Sequence, residues 1–388
     1  MTIEFGSPRG EDDIAALGGI LGWSFGFDPN DARTWLDHGG LVNVRIARRG
    51  DRVVGGLLEI SMGQWFGGRS VPMLGLAGVG IAPEARGEGT ARALVLETLR
   101  NARRRGIAVS TLYPATVSLY RAAGYELAGH RCRLTAALGD LPIARGDLDV
   151  TPLEPADLPA VEALYRRSAS ERPGYLDRGA YVWQRVRASR RETYRGFVVR
   201  GAGGLEAYTY LSQAGADGQR ELVVQDLVAA TGPALRRLTA FFADHRSTVK
   251  WLVLRGSAVD PVIVNAPERL FRVELSEYWM LRIVDVEGAL TARGYPPIDA
   301  TVDFELSDRT LPENAGRYRL EVSGGRARLT PGGSGAVALD ERALAALYTG
   351  FLAPAALVAV GRLEGEPSAL ARLALLFAGP PPAMPDYF

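Results

Sequence analysis

From Ala91 onward, Leu94, Val95, Leu99 and Ala102 fall at i+3, i+4, i+8 and i+11, the apolar stripe of an amphipathic helix over 90–105 that only Thr98 interrupts. Arg100, Arg103, Arg104 and Arg105 load the C-terminal end, where the helix dipole favours cations, and Gly106 stops it. The largely apolar runs on either side, 74–81 and 107–112, read as buried strands. Strand, helix and strand predict a parallel crossover with its first turn at the C-terminal edge of the sheet. Upstream, the pattern predicts helices near 12–20 and 31–37, then a hairpin of strands 42–47 and 53–61 across Arg49, Gly50 and Asp51. Downstream, a short helix around Tyr120 and a last strand over 131–136 complete a mixed α/β unit.

After a break at 138–142 the pattern starts again. Asp157-Leu158-Pro159-Ala160-Val161 echoes Asp13-Ile14-Ala15-Ala16-Leu17, and the run 221–228 followed by 235–244 echoes the strand and helix described above. The offset is about 145 residues, the size of one domain, which predicts a tandem duplication. Beyond 283–286 the texture changes to strands 301–306, 316–322 and 326–329 separated by Gly and Asn turns, then helices 341–347 and 369–377, an α+β pattern. The expected fold class is therefore α/β plus α+β, with domains at 1–140, 141–286 and 287–388.

Composition narrows the function classes. With 388 residues, 47% of them hydrophobic, two or three well-cored domains are expected. Net charge is +1, and the basic residues are arginines except Lys250, so no nucleic-acid partner is expected. Cys132 alone allows no internal disulfide, and His38, His130 and His245 lack metal-ligand spacing, so no metal is expected. The charged N-terminus has no apolar signal core, and no apolar run of membrane-spanning length occurs, which predicts a cytoplasmic chain with no membrane partner.

Chemistry concentrates in Val79-Gly80-Ile81-Ala82-Pro83-Glu84-Ala85-Arg86-Gly87-Glu88-Gly89-Thr90-Ala91. A buried strand here empties into a glycine-rich turn that opens a helix. Gly87 and Gly89 let a ligand approach the backbone, the first helical N–H groups point outward, and Arg86 adds positive charge, so the turn suits a phosphate. The equivalent turn of the second copy, Ala229-Ala230-Thr231-Gly232-Pro233-Ala234, has no arginine, and Pro233 supplies no N–H. That copy is expected to bind no cofactor.

Arg86-Gly87-Glu88-Gly89-Thr90-Ala91 resembles the R-x-x-G-x-G/A signature of the GNAT superfamily of N-acetyltransferases, and Ser118 to Glu126, with Tyr120 and Gly124-Tyr125, resembles its second signature. The resemblance implies acetyl-CoA as co-substrate, its pyrophosphate on Arg86, Gly87, Glu88, Gly89, Thr90 and Ala91, and its pantetheine arm along Val79, Gly80 and Ile81. A backbone N–H at Val79 or Ile81 would polarise the thioester carbonyl. Tyr120 sits at the family's position for the general acid that protonates the leaving thiolate; a phenol of ordinary pKa near 10 suits that role. Tyr125 reads as structural.

Over the whole chain, the order of acetyltransferase domain, degenerate copy and small α+β domain resembles the enhanced-intracellular-survival type, whose third domain is sterol-carrier-like. Trp35, the segments 281–286 and 293–295, Gly325-Arg326-Ala327-Arg328, Leu344 to Tyr348 and Phe388 carry that likeness. It implies a homo-oligomer, a hexamer in the family, and a general base in the carboxylate of Phe388, with other Asp and Glu side chains as alternative bases. Trp23, Phe25, Phe27 and Trp35 are either aromatic walls of a substrate pocket or ordinary core. Family members that accept polyamines carry acids where this sequence has Phe27 and Tyr387, which weakens the case for a polycationic substrate; Asp28, Asp31, Asp37 and Asp386 are the acids that would compensate. The expected activity is acetyl transfer to a primary amine of a small molecule by direct attack, the amine itself being unspecified. The competing reading is a non-catalytic acyl-CoA-binding or assembly protein.

Overall fold

The computed structural model describes residues 3–189, 192–216 and 218–388. Its contacts form two compact units, one of Met1–Gly129, Trp279–Pro380 and Phe388, the other of His130–Tyr278 and Pro381–Tyr387. These units do not follow the chain-order division at 140 and 286.

In the first unit, strands Ile3–Gly6, Val44–Arg49, Arg52–Phe66 and Arg69–Ile81 are successive antiparallel neighbours. Val109–Leu112 then runs parallel to the last of them, as the crossover pattern predicts. Helix Thr90–Arg104 connects the two and buries Leu94, Val95, Leu99 and Ala102. Thr98 is buried with them at no polar cost, because its hydroxyl donates to the Leu94 carbonyl at 2.9 Å. The strand Ile3–Gly6 is too short and too close to the N-terminus to have stood out in the pattern.

The far side of Val109–Leu112 differs from expectation. Its antiparallel neighbour is Met280–Ile283, whereas Cys132–Ala137, expected to finish the first sheet, pairs with Trp251–Gly256 in the second unit. Each tandem copy thus donates its last strand to the unit built around the other. Hydrophobic alternation fixes which face of a strand is buried but not which edge it joins.

The rest of the first unit is a five-stranded sheet in the order Arg326–Pro331, Gly316–Ser323, Ala300–Ser307, Val337–Asp340, Leu363–Gly365, with helices Val286–Ala292, Glu341–Tyr348, Pro354–Ala359 and Pro367–Leu376. Val302, Phe304 and Leu306 alternate inward along the central strand. Buried charge fastens this layer to the acetyltransferase-like sheet of the same unit. Arg282, fully enclosed, donates to both carboxylate oxygens of Asp308 at 2.7 Å and to Thr310 at 2.8 Å, and Glu126 accepts from Arg121 and Arg342.

In the second unit, Cys132–Ala137 is followed by Trp251–Gly256, Glu221–Ala229, Gly204–Ala214, Arg195–Gly201 and Asp149–Pro152. Glu221 to Val224 run parallel to Trp251 to Leu254, and helix Gly232–Ala243 packs Leu235, Leu238 and Phe242 into the core beneath them.

Candidate active site

The strand that leads to the glycine turn is distorted twice. Against Arg52–Phe66 its register slips between Gly56 and Leu58, so Gly78 and Val79 face Leu57 alone, a β-bulge. Gly78 has φ +59°, and a Cβ there would lie 2.5 Å from the Trp35 ring. On the opposite edge, pairing with Val109–Leu112 covers only Met73, Leu74 and Gly75. Beyond Gly75 the pairing of the two parallel strands ends, leaving a wedge-like gap in the hydrogen-bonded ladder beside Leu76 to Ile81.

The turn closes one end of this wedge. Gly87 and Gly89 take φ of +81° and +79°, and a Cβ on either would meet nothing within 4 Å. Helix Thr90–Arg104 starts with no side-chain cap on Gly89, so its first N–H groups are presented outward. The buried Thr90 hydroxyl has no hydrogen-bond partner among the described residues. An uncapped helix end, two open glycines and an orphaned hydroxyl fit a bound pyrophosphate well. Arg86 braces the approach, donating from Nε to the Ile81 carbonyl at 3.0 Å and from Nη2 to Ser24 Oγ at 3.1 Å. Glu88 is exposed and ion-paired to Arg49, which offsets its charge beside the turn.

Tyr120 lies in helix Val117–Arg121, buried in the cluster that holds Leu74, Leu76 and Leu94, against which Val79 also packs. Its ring meets Tyr125 edge-on at 5.8 Å. Tyr125 is fixed by Ser110, hydroxyl to hydroxyl at 2.7 Å, and Ser110 donates onward to the Leu74 carbonyl at 2.8 Å. Burial pushes the Tyr125 phenol well above its usual range, so it stays neutral. Phe388 is buried as well: a Cβ on Gly75 would lie 2.6 Å from its ring, which therefore sits where the wedge begins.

The four aromatic candidates separate. Trp35 is buried against the Gly78 bulge, and Phe25 and Phe27 stack at 5.9 Å where the helix Glu11–Phe25 ends. Trp23 does not join them; three-quarters exposed, it borders a shallow hollow with Asp12, Ile20, Asp51 and Glu84. Among the nearby acids, Asp28 caps helix Pro29–Gly39 and Asp37 pairs with Arg33. Asp386 is not available to a substrate amine. It is buried in the second unit, where Arg178 donates to its two oxygens at 2.7 and 3.0 Å while also pairing with Asp226. Sequence gave no hint of this network, whose members lie 48 and 208 residues apart.

The second copy's turn is built differently. Thr231 caps its own helix by accepting from Ala234 N at 3.2 Å and donates to Glu206 at 2.6 Å. A cap occupies the helix end and a carboxylate stands beside it, which together repel a phosphate. Among the described residues no group of His, Cys, Asp and Glu could hold a metal, and no helix is long and apolar enough to cross a membrane.

Comparison with known proteins agrees with this geometry. Acetyltransferase (GNAT) domain models match residues 9–128 and 174–283, and a sterol carrier protein domain model matches 286–385. The chain is 30% identical to an uncharacterized N-acetyltransferase of Streptomyces coelicolor over 80% of this chain and 79% of that one. It is 29% identical to N-acetyltransferase Eis of Mycobacterium tuberculosis over 96% of both. The crystal structure of a GCN5-related N-acetyltransferase from Anabaena variabilis superposes with a TM-score of 0.95 at 35% identity, each chain fully covered. The chain belongs to the GNAT superfamily of acyltransferases, in its Eis-type branch of tandem acetyltransferase domains followed by a sterol-carrier-like domain.

Proposed function

We propose that this acetyltransferase transfers the acetyl group of acetyl-CoA to a primary amine of a small molecule by direct attack, without an acyl-enzyme. The observation that carries the reading is the wedge between the strands beyond Gly75, which ends at an uncapped helix N-terminus flanked by Gly87 and Gly89. Arg86, Gly87, Glu88, Gly89, Thr90 and Ala91 hold the pyrophosphate, and the edge at Val79, Gly80 and Ile81 receives the pantetheine arm. Acetyl-CoA supplies the activated acyl group, and a main-chain N–H at Val79 or Ile81 stabilises the oxyanion formed as the amine adds. Tyr120 delivers a proton to the departing thiolate, and Phe388 contributes the carboxylate that takes a proton from the attacking ammonium. Burial of Tyr120 beside Val79 and of Phe388 on Gly75 supports both assignments. The second copy binds no cofactor, and the family likeness adds a homohexamer, which light scattering tests.

Calorimetry tests the cradle. Arg86→Ala should weaken acetyl-CoA binding by roughly 1.5–3 kcal/mol, the range for losing hydrogen bonds to a charged group. Gly89→Val should weaken it further, since a branched side chain at φ +79° is strained and fills the open space at the helix end. Unchanged affinity in both variants would remove the site from this turn.

A further inference from the structure

The second unit carries a concentration of positive charge that acetyl-CoA binding at the turn does not use. Arg133 and Arg255 stand directly opposite each other on the antiparallel strands Glu126–Ala137 and Trp251–Gly256. Like charges in a cross-strand pair repel and destabilise the sheet. Arg131, two residues before Arg133 and so on the same face of its strand, adds a third guanidinium. Helix Ala180–Arg187 supplies a fourth, Arg185, which donates from Nε to the Tyr387 carbonyl at 3.0 Å. The four arginines line one cavity of about 530 Å³, within the range of small-molecule sites.

Its carboxylates do not balance this charge. Glu277 pairs with Arg131 at 3.2 Å, Glu221 pairs with Arg133 at 2.6 Å, and Asp386 is already committed to Arg178. Arg255 has no carboxylate within ion-pair distance among the described residues. The residue is exposed overall, yet partial desolvation and repulsion from Arg131 and Arg133 outweigh the opposing effect of Glu277 and Glu221 and lower its pKa.

We propose that this cavity binds a small molecule bearing phosphate or carboxylate oxyanions, with Arg255 and Arg133 as its principal ligands and Arg131 and Arg185 beside them. Guanidinium forks suit such groups because they donate two parallel hydrogen bonds to one oxyanion. The oxyanion belongs to a free small-molecule effector, so the proposal stands apart from the acetyltransferase reading.

The test uses the full chain saturated with CoA, so that the glycine turn is blocked, titrated calorimetrically with pyrophosphate and with citrate at low ionic strength. Submillimolar binding of at least one is expected. Arg255→Gln should weaken it at least tenfold while raising the Tm, because the substitution also relieves the repulsion with Arg133; Arg255→Lys should retain part of the affinity. Binding that Arg255→Gln leaves unchanged, or no binding of either probe, overturns the proposal. An inactive preparation that still binds pyrophosphate through Arg255 would count against the transferase mechanism and not against this site.

Discussion

At the scale of single residues, chemistry was legible wherever it is local. Gly87, Gly89 and Arg86 sit within one turn, and their spacing alone suggests the anion site proposed above. Gly75 and Gly78 were silent in the sequence, because their value lies in the Phe388 ring and the Trp35 ring that occupy the space a side chain would fill. Asp386 shows a related limit: the sequence offers it as an acid that could compensate at Tyr387, and only the fold shows Arg178, 208 residues away, neutralising it. In the proposed mechanism Tyr120 is the residue on which the transfer chemistry turns. Tyr120→Phe keeps the buried ring and its contact with Tyr125 but removes the proton donor, so kcat should fall about 10²-fold or more with acetyl-CoA affinity nearly unchanged. Steady-state kinetics paired with calorimetry separates the two effects; equal losses in both would indicate a packing role.

At the scale of elements, the two strand-turn-helix units show two ways of building the start of the same helix. Both have a parallel strand pair that ends early, over Met73 to Gly75 in the first and Glu221 to Val224 in the second. In the first, the helix end is left uncapped behind Gly89. In the second, Thr231 supplies the cap, Glu206 supplies negative charge and Pro233 deletes a donor. Titration should therefore give one acetyl-CoA per chain, and a stoichiometry of two would show that the capped helix still binds. The duplication and the first crossover were readable from periodicity. The donated last strands were not, since edge pairing is settled only when the sheets assemble.

At the scale of the molecule, buried ionic joints hold the sterol-carrier-like layer to the acetyltransferase sheet of the first unit. Glu126 is the hub, accepting from Arg121 at 2.6 and 2.9 Å and from Arg342 at 2.9 Å, with Arg362 at 3.4 Å. Burial alone would raise its pKa, but the hydrogen bonds from Arg121, the Leu127 N–H and Arg342 outweigh this and hold it below the ordinary 4.5. A depressed folded pKa stabilises the native state above the unfolded value, and that contribution is lost as pH falls through the folded pKa. Glu126→Gln should then cost about 1.5–3 kcal/mol at neutral pH, the range for hydrogen bonds to charged groups. The gap from wild type should close below about pH 4.5. Urea unfolding across that range reads it directly; a gap independent of pH would mean that shape and not charge carries the joint.

The central claim is that the glycine turn, the wedge and Tyr120 together make a working N-acetyltransferase. Thiol release from acetyl-CoA, followed across a panel of primary amines that includes polycationic, neutral and anionic members, tests it most directly. The account predicts saturable, amine-dependent release that is strongly reduced by Tyr120→Phe and by deletion of Tyr387 and Phe388. Acetyl-CoA that binds one to one yet is never turned over with any amine would contradict it, and would leave a fold that holds the thioester without using it.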